Sequence, residues 1–210
     1  MPELKKHRAL VTGAAGTMGR AVVREFVANG ISVAAVDLST EAMGDLVAES
    51  DGLVAAYGID ISDPNAVAAG AAGIVSEFGY IDILVNNAGI LSNNKTAETT
   101  PEEWNKVMAV NVSGAFYLTK ALLPQMRKHG WGRIINTSSY AAKSGGLTAG
   151  TAYSVSKAAM IGLTFSIAAE TTRDNITVNA IAPAYIRTPM VTRTASGAAS
   201  PPVRLHDAQS

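Results

Sequence analysis

The chain has 210 residues, 17 Lys and Arg against 17 Asp and Glu, and 48% apolar residues. That length fits one sizeable domain with a substantial core, and zero net charge removes the broad positive field that grips nucleic acid or an anionic membrane. With no cysteine there can be no disulfide framework, no thiolate metal site and no Cys nucleophile.

Met1-Pro2-Glu3-Leu4-Lys5-Lys6-His7-Arg8 reads as a solvated run without an apolar signal core. No apolar stretch approaches the ~20 residues needed to cross a bilayer. The expectation is a soluble, cytoplasmic protein with neither nucleic acid nor membrane as partner. Ala9-Leu10-Val11 is a buried-strand run that Gly13 breaks. From Thr17 to Asn29 the residues Met18, Val22, Val23, Phe26 and Val27 keep helical spacing, with Gly30 as C-cap. Between strand and helix lies Thr12-Gly13-Ala14-Ala15-Gly16-Thr17-Met18-Gly19. Its glycines let the backbone turn tightly and approach a pyrophosphate, and the helix N-terminus offers free N–H groups.

Ile31 to Val36 is a second strand, closed by Asp37. That carboxylate stands eighteen residues beyond Gly19, where an acidic side chain receives the adenosine ribose hydroxyls. It would repel a 2′-phosphate. With no Lys or Arg between Gly13 and Gly19 and an apolar Leu38, NAD is expected rather than NADP. A helix follows over 40–49, then a strand from Leu53 to Ile59. Asp63-Pro64 is an N-cap with Pro at the first helical position, opening a helix to Phe78. Ile81 to Val85 is a strand. Thr100-Pro101-Glu102-Glu103 has the form of a capping box and starts a helical region to about Lys128. Ile134-Ile135 begins a further strand, Tyr153 to Arg173 is helical, and Ile176 to Ile181 is a strand. Apolar strands separated by helices predict an α/β fold: six parallel strands, doubly wound and Rossmann-like, covered on both faces. Residues 1–192 form this single domain. Residues 193–210, mostly Ala, Ser, Gly, Pro and Thr, read as a disordered tail.

Thr12-Gly13…Gly19, Asn86-Asn87-Ala88-Gly89, Asn111, Ser139, Tyr153-Ser154-Val155-Ser156-Lys157 and Pro183…Thr188 resemble, in order and spacing, the short-chain dehydrogenase/reductase family. The likeness runs from about Arg8 to Val191. It implies a nicotinamide-dependent oxidoreductase acting on a secondary alcohol or ketone, with Asn111, Ser139, Tyr153 and Lys157 as catalytic residues. Tyr153 and Lys157 are four apart and share a helix face. A free phenol titrates near 10 and is a poor base at neutral pH; a nearby ammonium lowers that value. In the family the Lys also binds the nicotinamide ribose, the Ser hydrogen-bonds the substrate oxygen, and the Asn positions the Lys through a water. Ser139, twenty-eight residues after Asn111, fits the family spacing; Ser138 is the alternative.

The resemblance extends the cofactor contacts to Gly13, Thr17, Met18 and Gly19, to Asp60 and Ile61 beside the adenine, and to Asn87, Ala88 and Gly89 beneath the adenosine half. Tyr153 and Lys157, then Pro183, Ile186 and Thr188, serve the nicotinamide end. It also implies a homodimer or homotetramer, built through the helix from Pro101 and the helix from Tyr153. Thr17 replaces the usual middle Gly and Ala184 the Gly after Pro. The likeness stops soon after Met190, as a shifted reading frame or altered terminus would make it. Each residue has an ordinary reading as well: Tyr153 a helix aromatic, Ser139 a turn residue, Asn111 a helix-break residue. The competing function, favoured by the altered end, is a dinucleotide-binding or interaction protein that keeps the cradle but lacks a working substrate pocket. His7, His129 and His206 lack metal-ligand spacing and read as surface residues, and no metal is expected. Lys143 lies where substrate would enter.

Overall fold

The computed structural model describes residues 7–147, 149–184 and 186. Six parallel strands form one sheet in the order β3-β2-β1-β4-β5-β6. The strands are β1 (Arg8–Thr12), β2 (Ser32–Asp37), β3 (Val54–Gly58), β4 (Ile83–Asn86), β5 (Gly132–Thr137) and β6 (Ile176–Ile181). The order reverses between β1 and β4, so the loops after these two strands part there. The crevice at the carboxyl ends lies at that point.

Register explains the two cores. Leu10 pairs with Ala34 and Leu84, Leu84 with Ile134, and Ile134 with Val178. This row belongs to one apolar cluster. Successive strand residues face opposite ways, so Ala9, Val11, Val33, Ala35 and Val85 fill a second cluster on the other face. The first face is covered by α3 (Pro64–Phe78), α5 (Gly114–His129) and α7 (Thr151–Glu170). The second is covered by α1 (Thr17–Ala28) and α2 (Gly44–Ala48). Toward β6 this second face is more open than expected: Thr177, Asn179 and Ile181 are exposed.

Caps follow the sequence. Asp63 accepts the Asn65 N–H at 2.8 Å ahead of Pro64. Thr100 accepts the Glu103 N–H at 3.2 Å and opens α4 (Pro101–Met108). The region expected as one helix beyond Pro101 contains a π-helical turn over Ala109–Ser113. The stretch expected as a helix over 40–49 is a 3₁₀ turn over Glu41–Met43 followed by the short α2. A short α6 (Ala141–Ser144) lies between β5 and α7, where no element was expected.

Among the described residues two helical stretches, Pro101–His129 and Thr151–Glu170, are long and apolar enough by length and composition to cross a bilayer. This corrects the expectation that no stretch reaches that length; here Leu118, Leu122, Met126 and Ile167 are spent on the core. His7 is not a free surface residue either. It pairs with the buried Asp82 at 2.8 Å and stacks on Trp131 at 4.2 Å. His129 lies against Tyr80 at 4.5 Å.

Candidate active site

The cradle begins where β1 ends. Gly13 turns at φ +65°, a conformation that L side chains rarely adopt, and a Cβ there would lie 2.8 Å from Ala88 Cα. Gly19, one turn into α1, packs directly on the Gly13 peptide, and a Cβ on it would overlap the Gly13 carbonyl oxygen. Gly16 caps α1 without a side-chain hydrogen bond, and the first turn carries no acidic residue. The N–H groups of that turn are therefore free to meet an anion, and Thr17 is exposed beside them. Met18 is half-buried.

Thr12, quoted in the motif but given no role there, fastens the cradle to the segment after β4. Its hydroxyl accepts the N–H groups of Asn87 and Ala88, each at 3.0 Å. Asn87 Nδ2 in turn donates to the carbonyls of Thr12 at 3.0 Å and Gly13 at 3.3 Å. A hydroxyl directly ahead of the first Gly was the signal available. Asp37 closes β2 and accepts Ala15 N–H at 2.9 Å and Leu38 N–H at 2.8 Å. One carboxylate oxygen thus holds the turn, and lone pairs remain for hydroxyls. Asp60 is exposed and accepts both the N–H and the hydroxyl of Ser62, which lower its pKa. Ile61 instead turns into the core, where Gly114 leaves room for it.

Tyr153 and Lys157 lie one turn apart on α7. Lys157 is 4% exposed, and its Nζ donates to the Thr137 carbonyl at 2.9 Å. Burial lowers its pKa to about 8. The Tyr153 phenol is pushed up by burial, while a hydrogen bond with Ser139 pulls it down. This differs from the expectation that the nearby ammonium would lower the phenol's pKa. Lys157 Nζ stands 5.7 Å from the Tyr153 ring centroid and points to Thr137, and its own charge is penalised by burial.

Asn111 is buried in the π turn. Its Oδ1 accepts the Ile90 N–H at 2.8 Å, and its Nδ2 donates to Ile90 O and to Ser156 Oγ, both at 3.0 Å. Gly89 is flanked by Asn111 Oδ1 and Lys157 Nζ; a Cβ there would lie 3.2 Å from each. The two serines separate cleanly. Ser138 is buried and donates to the Lys157 carbonyl at 2.7 Å. Ser139 is half-buried, accepts the Ala141 N–H at 3.2 Å, and meets Tyr153. Pro183 accepts the Tyr140 N–H at 2.9 Å, which sets the chain after β6 beside Ser139. Ile186 and Lys143 are exposed. Thr188 and the tail from Arg193 lie outside the described residues. The fold thus brings Asn111, Ser139, Tyr153 and Lys157 to the carboxyl edge of β4, β5 and β6, beside the glycine cradle.

The model of the family described as short chain dehydrogenase matches residues 7–199, past the point where the likeness was expected to stop. The 3-oxoacyl-(acyl-carrier-protein) reductase FabG of Thermotoga maritima is 39% identical over 184 residues, covering 86% of this chain and 74% of its own. Among solved structures, NAD⁺-bound xylitol dehydrogenase is similar at TM-score 0.81 and 34% identity, over 86% of this chain and 70% of that one. The 3-ketoacyl-(acyl-carrier-protein) reductase of Brucella melitensis complexed with NADH is similar at TM-score 0.84 and 30% identity, over 89% and 78%.

Proposed function

The chain belongs to the short-chain dehydrogenase/reductase family of oxidoreductases, and from that premise we propose that it is an NAD(H)-dependent alcohol dehydrogenase or carbonyl reductase. The observation that carries this reading is the meeting of Ser139, Tyr153, Lys157 and Asn111 beside a cradle that only glycine fits at Gly13 and Gly19. The residues suit a dinucleotide: space without Cβ atoms at the turn, uncapped N–H groups at α1, and a carboxylate at the end of β2.

When bound, the nicotinamide supplies the hydride. The chain supplies the proton and the electrostatics. In reduction the Tyr153 hydroxyl donates to the substrate carbonyl oxygen, and the Ser139 hydroxyl holds that oxygen as charge develops on it. With the cofactor in place Lys157 would hold the nicotinamide ribose through its ammonium, and Asn111 keeps Ile90 and Ser156 in place. Pro183, Ile186 and Thr188 would hold the carboxamide. The substrate is a small molecule bearing a secondary alcohol or a ketone, and the setting is cytoplasmic. Fluorescence titration with NADH and oxidation of NADH against ketones, sugars and 3-oxoacyl thioesters test the reading together. Binding without turnover on any of them would instead support a dinucleotide-binding protein without catalysis.

Asp37 sets the preference for NAD over NADP in this reading. Arg20, just past the cradle, is already engaged by Ala15 O at 2.8 Å, by Asp45 at 2.5 Å and by Ala42 O, so it is not free for a 2′-phosphate. NADH is expected to bind more tightly than NADPH, and Asp37→Asn to narrow the gap by about tenfold, equal to ~1.4 kcal/mol. Paired titrations with the two cofactors check this; a wild type that prefers NADPH would refute it.

The homodimer rests on the outer faces of α4, α5 and α7, where Trp104, Phe116 and Phe165 are 36%, 46% and 71% exposed. Phe165→Glu is expected to shift sedimentation to the mass of one chain with the fold retained. A wild type that already sediments as one chain removes this part of the proposal.

A further inference from the structure

α7 does not cap its own start. Its N-cap is Gly150, which has no side chain to offer. The Thr151 N–H is taken instead by the Asn94 carbonyl at 3.0 Å, and the Gly150 N–H by the Ser92 carbonyl at 2.7 Å. The fit is close: a Cβ on Gly150 would lie 2.5 Å from Asn94 O and 2.7 Å from Ser92 O. The segment after β4 therefore sets where α7 begins, and Tyr153 stands in its first turn.

That segment is itself held from two sides. From α4, the Glu103 carboxylate accepts Ser92 Oγ at 2.5 Å and Asn94 Nδ2 at 2.8 Å. From within the segment, Lys95 reaches the loop that runs from α6 to α7. Its Nζ donates to the carbonyls of Gly146 and Ala149, both at 2.6 Å. These are charge-assisted bonds, stronger than neutral ones. The loop they grip joins Ser139 to Tyr153 in the chain. It is also tightly shaped, since Gly146 has φ +71° and a Cβ there would overlap Ser154 Oγ, one residue past Tyr153.

We propose that Lys95 is a positioning residue for Tyr153: its ammonium, bridging the Gly146 and Ala149 carbonyls, fixes the loop and the first turn of α7 so that the phenol meets Ser139. This rests on the assignment of Tyr153 as proton donor. Lys95 acts through geometry, because the influences on the phenol are its burial and the Ser139 hydrogen bond. A misplacement of about 1 Å at a reacting group costs as much as 10²-fold in rate.

The test compares wild type, Lys95→Met and Lys95→Arg by NMR titration of tyrosine labelled at ¹³Cζ, with Tyr153→Phe assigning the signal. Lys95→Met is expected to raise the Tyr153 pKa, because the bond that pulls it down is loosened. Its kcat for carbonyl reduction is expected to fall about tenfold or more, with NADH affinity within about twofold of wild type. Lys95→Arg, whose fork can reach two carbonyls, is expected to keep both properties. An unchanged Tyr153 titration and kcat in Lys95→Met overturn the proposal, even if its Tm falls. Lys95→Gln substitutes with the same outcomes should the Met variant not fold. If wild type reduces no carbonyl compound, the redox reading falls while the titration still decides the role of Lys95.

Discussion

Tyr153→Phe is expected to cut carbonyl reduction by about 10²- to 10⁴-fold, the span over which a positioned proton donor acts, while NADH affinity stays within about twofold. One oxygen is removed and the ring remains to fill its place beside Lys157. Burial raises the phenol, so at neutral pH the wild-type side chain holds its proton and can give it to a carbonyl oxygen. No neighbour replaces it. The Ser139 hydroxyl is a far weaker acid, and the Lys157 ammonium, with a pKa of about 8, is turned to the Thr137 carbonyl. The cradle is untouched, because Gly13, Gly19 and Asp37 owe nothing to the phenol. Stability should change little: one hydrogen bond is worth about 1 kcal/mol net, and Ser139 keeps its bond from Ala141 N–H. Single-turnover oxidation of NADH, read beside fluorescence titration, separates the two quantities. A variant that turns over within tenfold of wild type removes Tyr153 from the chemistry.

The features that carry this prediction were unequally visible in the sequence. Strands such as Ala9-Leu10-Val11 announce themselves because a parallel strand is buried on both faces and need not alternate. Helix starts at Asp63-Pro64 and Thr100-Pro101 are local chemistry, so they could be read to the residue. The spacing of Tyr153 and Lys157 is likewise local. Asn111 was legible as a residue and not as a place: nothing in Ala109–Ser113 marks a π turn, which lies where α4 and the turn itself pack against α7. Ser138 and Ser139 could be ranked by spacing, yet what parts them is burial and direction, set by the end of β5 against α7. A lowering of the phenol's pKa by Lys157 was expected from their spacing in sequence, but the ammonium donates to the Thr137 carbonyl, a partner twenty residues away. Lys95 has no local signature, since it acts across a long loop, and the one local sign of Thr12, a hydroxyl ahead of the first Gly, does not name its partners across the sheet.

Gly19→Ala should abolish measurable NADH binding, a loss of 100-fold or more, ~2.7 kcal/mol. Its new methyl would overlap the Gly13 carbonyl oxygen and lie 2.7 Å from Gly13 C and 2.8 Å from Ala14 Cα. All three are backbone atoms, so no side chain can swing away. Either α1 retreats from the turn or the turn opens, and both move the N–H groups that would face the pyrophosphate. Overpacking of this kind also costs about 1–3 kcal/mol of stability, so binding must be measured well below the melting point. Gly73→Ala supplies the contrast. Gly73 lies inside α3 with nothing within 4 Å of its added Cβ. There the same substitution should stabilise the protein by about 0.5–1 kcal/mol, because Ala loses less backbone entropy in a helix, and leave NADH binding as it was. The two variants differ by position alone, so a Gly19→Ala protein that binds NADH like wild type would show that the close approach at Gly13 is packing only and that the cofactor lies elsewhere.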